Sequence, residues 1–337
     1  MKQRNALLVF LLCLGILIIA AGCGKKSEVS TTPAPPAANP AVVSPTTAGA
    51  PTSATSTTVP AVADNTGAYS VTYKFTPGQV RYVTFNSDMS ADMPSGPMSG
   101  QGTMKMTNGS TVKVETLKVD PKGNGTLKLT VLSASVGGNP MMSFTLPKDK
   151  PLPTKTVTVD TNGKVIKQSQ PTNLPPQMGG MVVTQAFAIT SAVYPTEMTK
   201  HPLVVGNSWN ESKDVPVGGK PKPGTKGDVI KTDTSYTLVG LEDYKGKPAY
   251  HYKFKMTGKG DRKNPKAAGG PSASINMDEI SEGDTWMSRD GNGMLSSQVN
   301  MKSTISSSQG STPGMKAPMA MTQTIVVKID TSDTPPK

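Results

Sequence analysis

Apolar and polar residues alternate with a period of two along most of this chain, and nothing else restricts its fold as strongly. Val71-Thr72-Tyr73-Lys74-Phe75 alternates, as does Gly102-Thr103-Met104-Lys105-Met106. Leu127, Leu129 and Val131 share one face of the run from Thr126 to Ser133. Tyr250, Tyr252, Phe254 and Met256 share another, opposite His251, Lys253 and Lys255. Ile325, Val327 and Ile329 repeat the pattern near the end. Successive strand side chains point to opposite faces, so this pattern specifies antiparallel sheet with one buried and one wet side. The breaks carry turn residues: Asn108-Gly109, Gly123-Asn124-Gly125, Asn162-Gly163 and Asn292-Gly293. Asn-Gly tolerates positive φ and is a strong hairpin signal. The expected fold class is all-β, mostly antiparallel.

One segment departs from the pattern. Between Gln177 and Tyr194 the apolar residues Met178, Met181, Val182, Phe187, Ile189 and Val193 recur without strict alternation, and Pro195 follows. A helix is expected over about 177–194, lying across a face or capping an end of the sheet. Three turn-and-strand pieces also recur in order. Thr76-Pro77-Gly78-Gln79 is similar to Val204-Val205-Gly206-Asn207; Asp120-Pro121-Lys122-Gly123 to Asp243-Tyr244-Lys245-Gly246; Asp160-Thr161-Asn162-Gly163 to Asp290-Gly291-Asn292-Gly293. The members of each pair lie between 123 and 130 residues apart. A duplicated β-meander is expected, with halves at about 67–172 and 200–332 and the helix between them; chance likeness of turn residues is the alternative. Such a chain makes one large curved sheet or an open barrel, its edges closed or covered.

The first 66 residues belong to no such sheet. Lys2 and Arg4 precede an apolar run from Ala6 to Ile19, and Ala20-Ala21-Gly22-Cys23 follows. The run of about 14 residues suits a signal peptide and falls short of the roughly 20 of a spanning helix. Residues 1–22 are thus expected to be a signal peptide. The chain has two cysteines, and Cys13 lies inside that segment. Cys23 would then be the lone thiol of the mature chain, with no internal disulfide to make. From Gly24 to Thr66 the chain is nearly all Ala, Pro, Thr, Ser and Val. Such a segment buries too little apolar surface to offset ordering, so 23–66 reads as a disordered tether. Its reach would be about 35–40 Å as a coil and about 130 Å fully extended. Residues 67–332 form the β-rich domain and 333–337 a tail.

The segment ending in Cys23 resembles the lipobox of bacterial lipoproteins, with Ala20 where leucine is commonest. The resemblance implies that Cys23 becomes a lipidated first residue, a diacylglyceryl and palmitate carrier anchored in a membrane. Cleavage after Gly22 without lipidation is the alternative. Gly24, being other than Asp, implies the outer membrane where the source has two. The pieces Pro77-Gly78-Gln79, Val205-Gly206-Asn207-Ser208-Trp209, Leu238-Val239-Gly240-Leu241-Glu242-Asp243 and Asp290-Gly291-Asn292-Gly293-Met294-Leu295 resemble a family of uncharacterised envelope lipoproteins. That resemblance implies location and fold, and it carries no catalytic residues to transfer.

The chemistry-bearing residues give no recognisable active site. His201 and His251 are the only histidines, 50 residues apart, and make no zinc pattern. Asp278-Glu279-Ile280-Ser281-Glu282-Gly283-Asp284 lacks the spacing of a calcium loop and reads as a solvated loop. No Gly-x-Ser-x-Gly elbow, P-loop or dinucleotide fingerprint occurs. Met89, Met93, Met98, Met104 and Met106 cluster in a chain with 19 Met. Thioethers suit copper(I), but a Met-filled inner sheet face is the plainer reading, and no cofactor is expected. The net charge is +12. Lys213, Lys220, Lys222 and Lys226, then Lys259, Arg262, Lys263 and Lys266, read as basic loops able to meet anionic lipid or wall polymer. They lack interleaved aromatics, so nucleic acid is not an expected partner.

The sequence therefore points to a lipid-anchored envelope protein without enzymatic activity. Its leading role is a binding or structural module holding an apolar ligand in a Met-lined concavity. The alternative is an interaction or adhesion protein with a filled core, using basic loops on anionic envelope polymers. An enzyme without a recognisable motif comes third.

Overall fold

A computed structural model describes residues 68–92, 103–138, 143–176, 178–216, 229–263, 274–308 and 319–336. The first half contributes β1 (Val80–Asp92), β2 (Thr103–Val119), β3 (Gly125–Gly137), β4 (Phe144–Thr145), β5 (Thr154–Val159) and β6 (Val165–Gln168). Two short helices, α1 (Met178–Phe187) and α2 (Ile189–Val193), and a 3-10 turn (Thr196–Thr199) come next. The second half contributes β7 (Ser208–Pro216), β8 (Val229–Tyr244), β9 (Lys247–Lys263), β10 (Ser274–Ser288), β11 (Met294–Ser308) and β12 (Met319–Ser332). All pair antiparallel in one 12-stranded sheet of order β6-β5-β3-β2-β1-β12-β11-β10-β9-β8-β7, with β4 beside β3. The fold is all-β and mostly antiparallel, a large curved sheet that does not close. Its end strands differ in length: β6 has four residues and β7 has nine. A short edge strand limits pairing with other chains.

The order resolves into two five-stranded meanders, β1-β2-β3-β5-β6 and β7-β8-β9-β10-β11, with β12 seated between β1 and β11. Their entry turns share one geometry. The Gly78 N–H donates to Thr116 O and the Gly206 N–H to Leu238 O, each at 2.8 Å. Thr116 N–H returns a bond to Gln79 O, and Leu238 N–H to Asn207 O. Gly78 and Gly206 both adopt positive φ, +79° and +86°, where a side chain is strained.

The apolar stripes define the inner face. Leu127, Leu129, Val131, Tyr252, Ile325, Val327 and Ile329 are completely buried there. Removing each such side chain from water contributes about 1.5–3 kcal/mol. Helix α1 packs on β3 and β2 and sends Val183 and Phe187 into this core. Its two glycines permit the approach: a Cβ on Gly179 would lie 2.5 Å from the Phe144 ring, and one on Gly180 2.8 Å from Pro175 O. The helical segment also reaches both sheet edges. Thr199 Oγ1 donates to Asn162 O at the β5–β6 turn, and Glu197 meets Lys213 on β7.

Four expectations are corrected. Val71–Phe75 alternates in burial but joins no ladder. It is held by Tyr73 N–H to Thr161 O and Lys74 N–H to Gly291 O, between two turns of the sheet. Asn108-Gly109 is no turn; it runs through the middle of β2, where Gly109 lies opposite Asn86 and Ser135. Pairing on both flanks outweighs the local turn preference. Asp278–Asp284 is no loop but the centre of β10, between β9 and β11. Lys213 sits on β7, not in a loop, and Lys259, Arg262 and Lys263 lie on β9.

Candidate functional site

The two faces of the sheet differ in kind. On the inner face the register sets residues in rows across the strands. One row runs Thr234, Met256, Ser281, Met301, Ile325, Met89, Met106. Met89, Met256 and Met301 are each 2% exposed, so these thioethers are packed among their neighbours. The next row runs Thr232, Gly258, Glu279, Ser303, Gln323, Ala91. Glu279 is buried, and burial pushes its carboxyl above the usual glutamate range against the opposing hydrogen bond from Ser281 Oγ. Ser303 Oγ and Gln323 Oε1 are buried without a hydrogen-bond partner. Met104 and Met106 lie partly buried against the core. Met93 and Met98 fall outside the described residues.

The outer face carries a groove of about 380 Å³. Two successive rows cross it, and they repeat one order of chemical groups. The first is Ser235, Lys255, Glu282, Asn300; the second is Thr237, Lys253, Asp284, Gln298. Each row offers a hydroxyl, an ammonium, a carboxylate and an amide. All but Gln298 line the groove, and Phe254 and Gly283 complete its lining. Glu282 faces Lys255 and Asp284 faces Lys253 across one strand pair, yet neither lysine makes an ion pair among the described residues. The two lysines and Glu282 are left to the groove, and Asp284 shares its carboxylate with His251.

The row beside the groove is aromatic. His251 and Trp286 lie directly opposite on β9 and β10, with rings stacked at 4.8 Å and 14°. Trp286 stacks in turn on Tyr244 at 4.8 Å and 26°. Ala249, fully buried, is the paired neighbour of Ser288 next to this stack. His251 Nε2 lies 2.7 Å from Asp284 Oδ1, and Nδ1 lies 3.5 Å from Glu242 Oε2. Trp286 Nε1 donates to Glu242 as well. The stack thus holds the Asp284 carboxylate in place at the rim of the groove. Such fixed polar groups bind a ligand with less ordering cost.

A second charged cluster is committed to the fold. Lys213 Nζ lies 3.1 Å from Glu197 Oε1 and 2.5 Å from Glu211 Oε2; Lys200 Nζ lies 3.5 Å and 3.1 Å from the same two residues. Burial raises the Glu211 carboxyl, but Lys213 and Lys200 outweigh it and hold it below the usual range. Trp209 stacks on Tyr236 beside this cluster, and His201 packs against Trp209.

Of the residues singled out by the sequence, Cys23 lies outside the described residues, as do Lys220, Lys222, Lys226 and Lys266. His251 occupies the outer face as its strand phase requires, whereas His201 sits in the bend before β7. Among the described residues no three His, Cys, Asp or Glu side chains are grouped to hold a metal ion. The groove itself escaped the sequence reading. Its residues come from four strands, and only the β8–β9–β10–β11 register brings them together.

No protein-family model matches the chain, and no curated protein matches it. Among solved structures it shows a likeness to DynF from the dynemicin biosynthesis pathway of Micromonospora chersina. The identity is 9%, the TM-score 0.21, and the match covers 84% of this chain and 92% of that one. An outer membrane channel from Pseudomonas putida F1 is 8% identical with a TM-score of 0.21, covering 77% of this chain and 97% of that one. Neither likeness bears on the role of the groove.

Proposed function

We propose that this chain is a lipid-anchored protein of the bacterial envelope whose β domain binds an envelope component through its outer face, without catalysis. Acylated Cys23 is the anchor in this reading, with residues 24–66 as the tether, and the outer membrane is the favoured site where two membranes exist. The observation that carries the binding role is the contrast between the faces. Met89, Met256, Met301, Tyr250 and Tyr252 are buried on the inner face, while the outer face holds an open groove in which Lys253 and Lys255 have no ion-pair partner among the described residues and Asp284 meets His251. This contrast favours the interaction reading over an apolar ligand held in the concavity. The test is co-sedimentation of the full chain, carrying Cys23→Ser to remove the anchor, with insoluble envelope polymer and separately with lipid vesicles. Saturable sedimentation with polymer is expected. Retention of a lipid that only denaturation releases, with no polymer bound, would overturn it.

A further inference from the structure

The groove also limits what its occupant can be. We infer that the outer-face groove between β8 and β11 binds a neutral carbohydrate chain, an inference that rests on the binding role proposed above.

Charge excludes most alternatives. Lys253 and Lys255 repel a cation, and Glu282 and Asp284 repel a phosphate, sulfate or uronate group in the same space. Opposite charges at like distances cancel for any strongly charged ligand and leave no net field to recruit one. An apolar ligand would find no ring, because the Phe254 side chain packs against the inner core, and would strip water from four charged groups without replacing their hydrogen bonds. A polyhydroxylated ligand does the reverse. Each of its hydroxyls both donates and accepts, so it can accept from an ammonium and donate to a carboxylate in the same row. Hydrogen bonds to charged groups are about twice as strong as neutral ones. Ser235, Thr237 and Asn300 add neutral partners to the same wall.

The repetition of the groups points to a chain rather than a single small molecule. Residues two apart on a strand are roughly 6.6–6.8 Å apart, so the two equivalent rows offer the same partners at that spacing. The volume of about 380 Å³ falls near the lower end of the roughly 300–1,000 Å³ of small-molecule sites. That volume fits a short segment of a glycan whose remainder runs on over the sheet. The fixed Asp284 rim, locked through His251 and the Trp286 stack, supplies a rigid acceptor at one end.

The test is calorimetric titration of the full Cys23→Ser chain with uncharged oligosaccharides, one series of hexose and one of N-acetylhexosamine units. Uronic acid and sulfated oligosaccharides and anionic phospholipid vesicles are the comparison probes. Saturable binding of an uncharged series is expected, with an affinity that rises with chain length until both rows are filled. Lys255→Ala combined with Glu282→Ala should weaken it at least tenfold, while Lys231→Ala, an exposed residue on β8 outside the groove, should leave it unchanged. Circular dichroism verifies that the variants keep their sheet. No binding of either uncharged series, tighter binding of the charged probes, or affinity indifferent to the double variant would each overturn the assignment. The co-sedimentation assay separates the two levels. Wild type and double variant sedimenting alike with polymer would remove the groove and retain the binding role; neither sedimenting would remove both.

Discussion

Glu279 sets a cost within the sheet that its neighbours do not offset. Its carboxyl is buried on the inner face, opposite Gly258 and Ser303, with one hydrogen bond from Ser281. Burial raises its folded pKa above the unfolded one, so the folded state binds the extra proton. The stabilisation is fully present below the ordinary glutamate range and is lost as pH rises through the raised value. Glu279→Gln should therefore gain stability near pH 8, by roughly 1 kcal/mol or about 2–4 °C in Tm, and gain almost nothing near pH 4. Thermal unfolding of both proteins across that range isolates the residue, because the other carboxylates are common to both. Gly283 makes a steric prediction. A Cβ there would lie 2.3 Å from Gln298 O and 3.0 Å from the Phe254 ring. Gly283→Ala should cost about 1–3 kcal/mol in denaturant unfolding by forcing β10 away from β11. Both residues sit in the acidic stretch that reads as a loop in the sequence. Its polar residues hide a strand, because pattern reading assigns polar residues to water.

At the scale of elements, the helical segment is fastened to the sheet by charge rather than by caps. Glu197 is almost fully buried and is met by Lys213 from β7 and Lys200 from its own turn. Removing Lys213 would leave a buried carboxylate with half its compensation. Lys213→Met should cost about 2–3 kcal/mol, below the usual 3–5 because Lys200 remains and both lysines are partly exposed. Adding Glu197→Gln should recover much of that loss, which a chemical-denaturation double-mutant cycle would show as strong coupling. The pH slope here opposes that of Glu279. Glu211 is held below its usual range, so its contribution is present above that range and lost as pH falls through the folded value. The elements themselves were largely legible. The stripes at Leu127–Val131, Tyr250–Met256 and Ile325–Ile329 lie on the buried face as the alternation requires, and a helix occupies the one irregular segment. What failed was local: Asn108-Gly109 carries a hairpin signal, but Asn86 on one side and Ser135 on the other keep β2 paired through it. Register is a pairing property, and neither that override nor the convergence of four strands on the groove is written in any single segment.

For the whole molecule, the matched turns at Gly78 and Gly206 and the like order of the two meanders fit a duplicated unit, with β12 joining the copies. β1 and β7 lie far apart in the sheet, and the segment entering β1 near residue 76 belongs to the first meander while the groove on β8–β11 belongs to the second. In the proposed reading, a tether ahead of the first meander would present the second to a polymer away from the membrane. The reach expected of such a tether as a coil, about 35–40 Å, would exceed a Debye length several-fold, so in this reading the groove would act free of the surface charge of the membrane. In the proposed reading this arrangement depends on Cys23. Two or three acyl chains give stable attachment where one is marginal. Cys23→Ser should move the protein from the detergent phase to the aqueous phase in phase partition, or leave it at precursor mass. Its affinity for uncharged oligosaccharide in solution should stay the same, because the groove lies outside the tether. Shortening residues 30–60 in the acylated protein should instead retain detergent partition and reduce capture of immobilised polymer by intact cells. A variant lacking Cys23 that still partitions into detergent at mature mass would remove the anchor, and a shortened tether with full capture would remove the spacer.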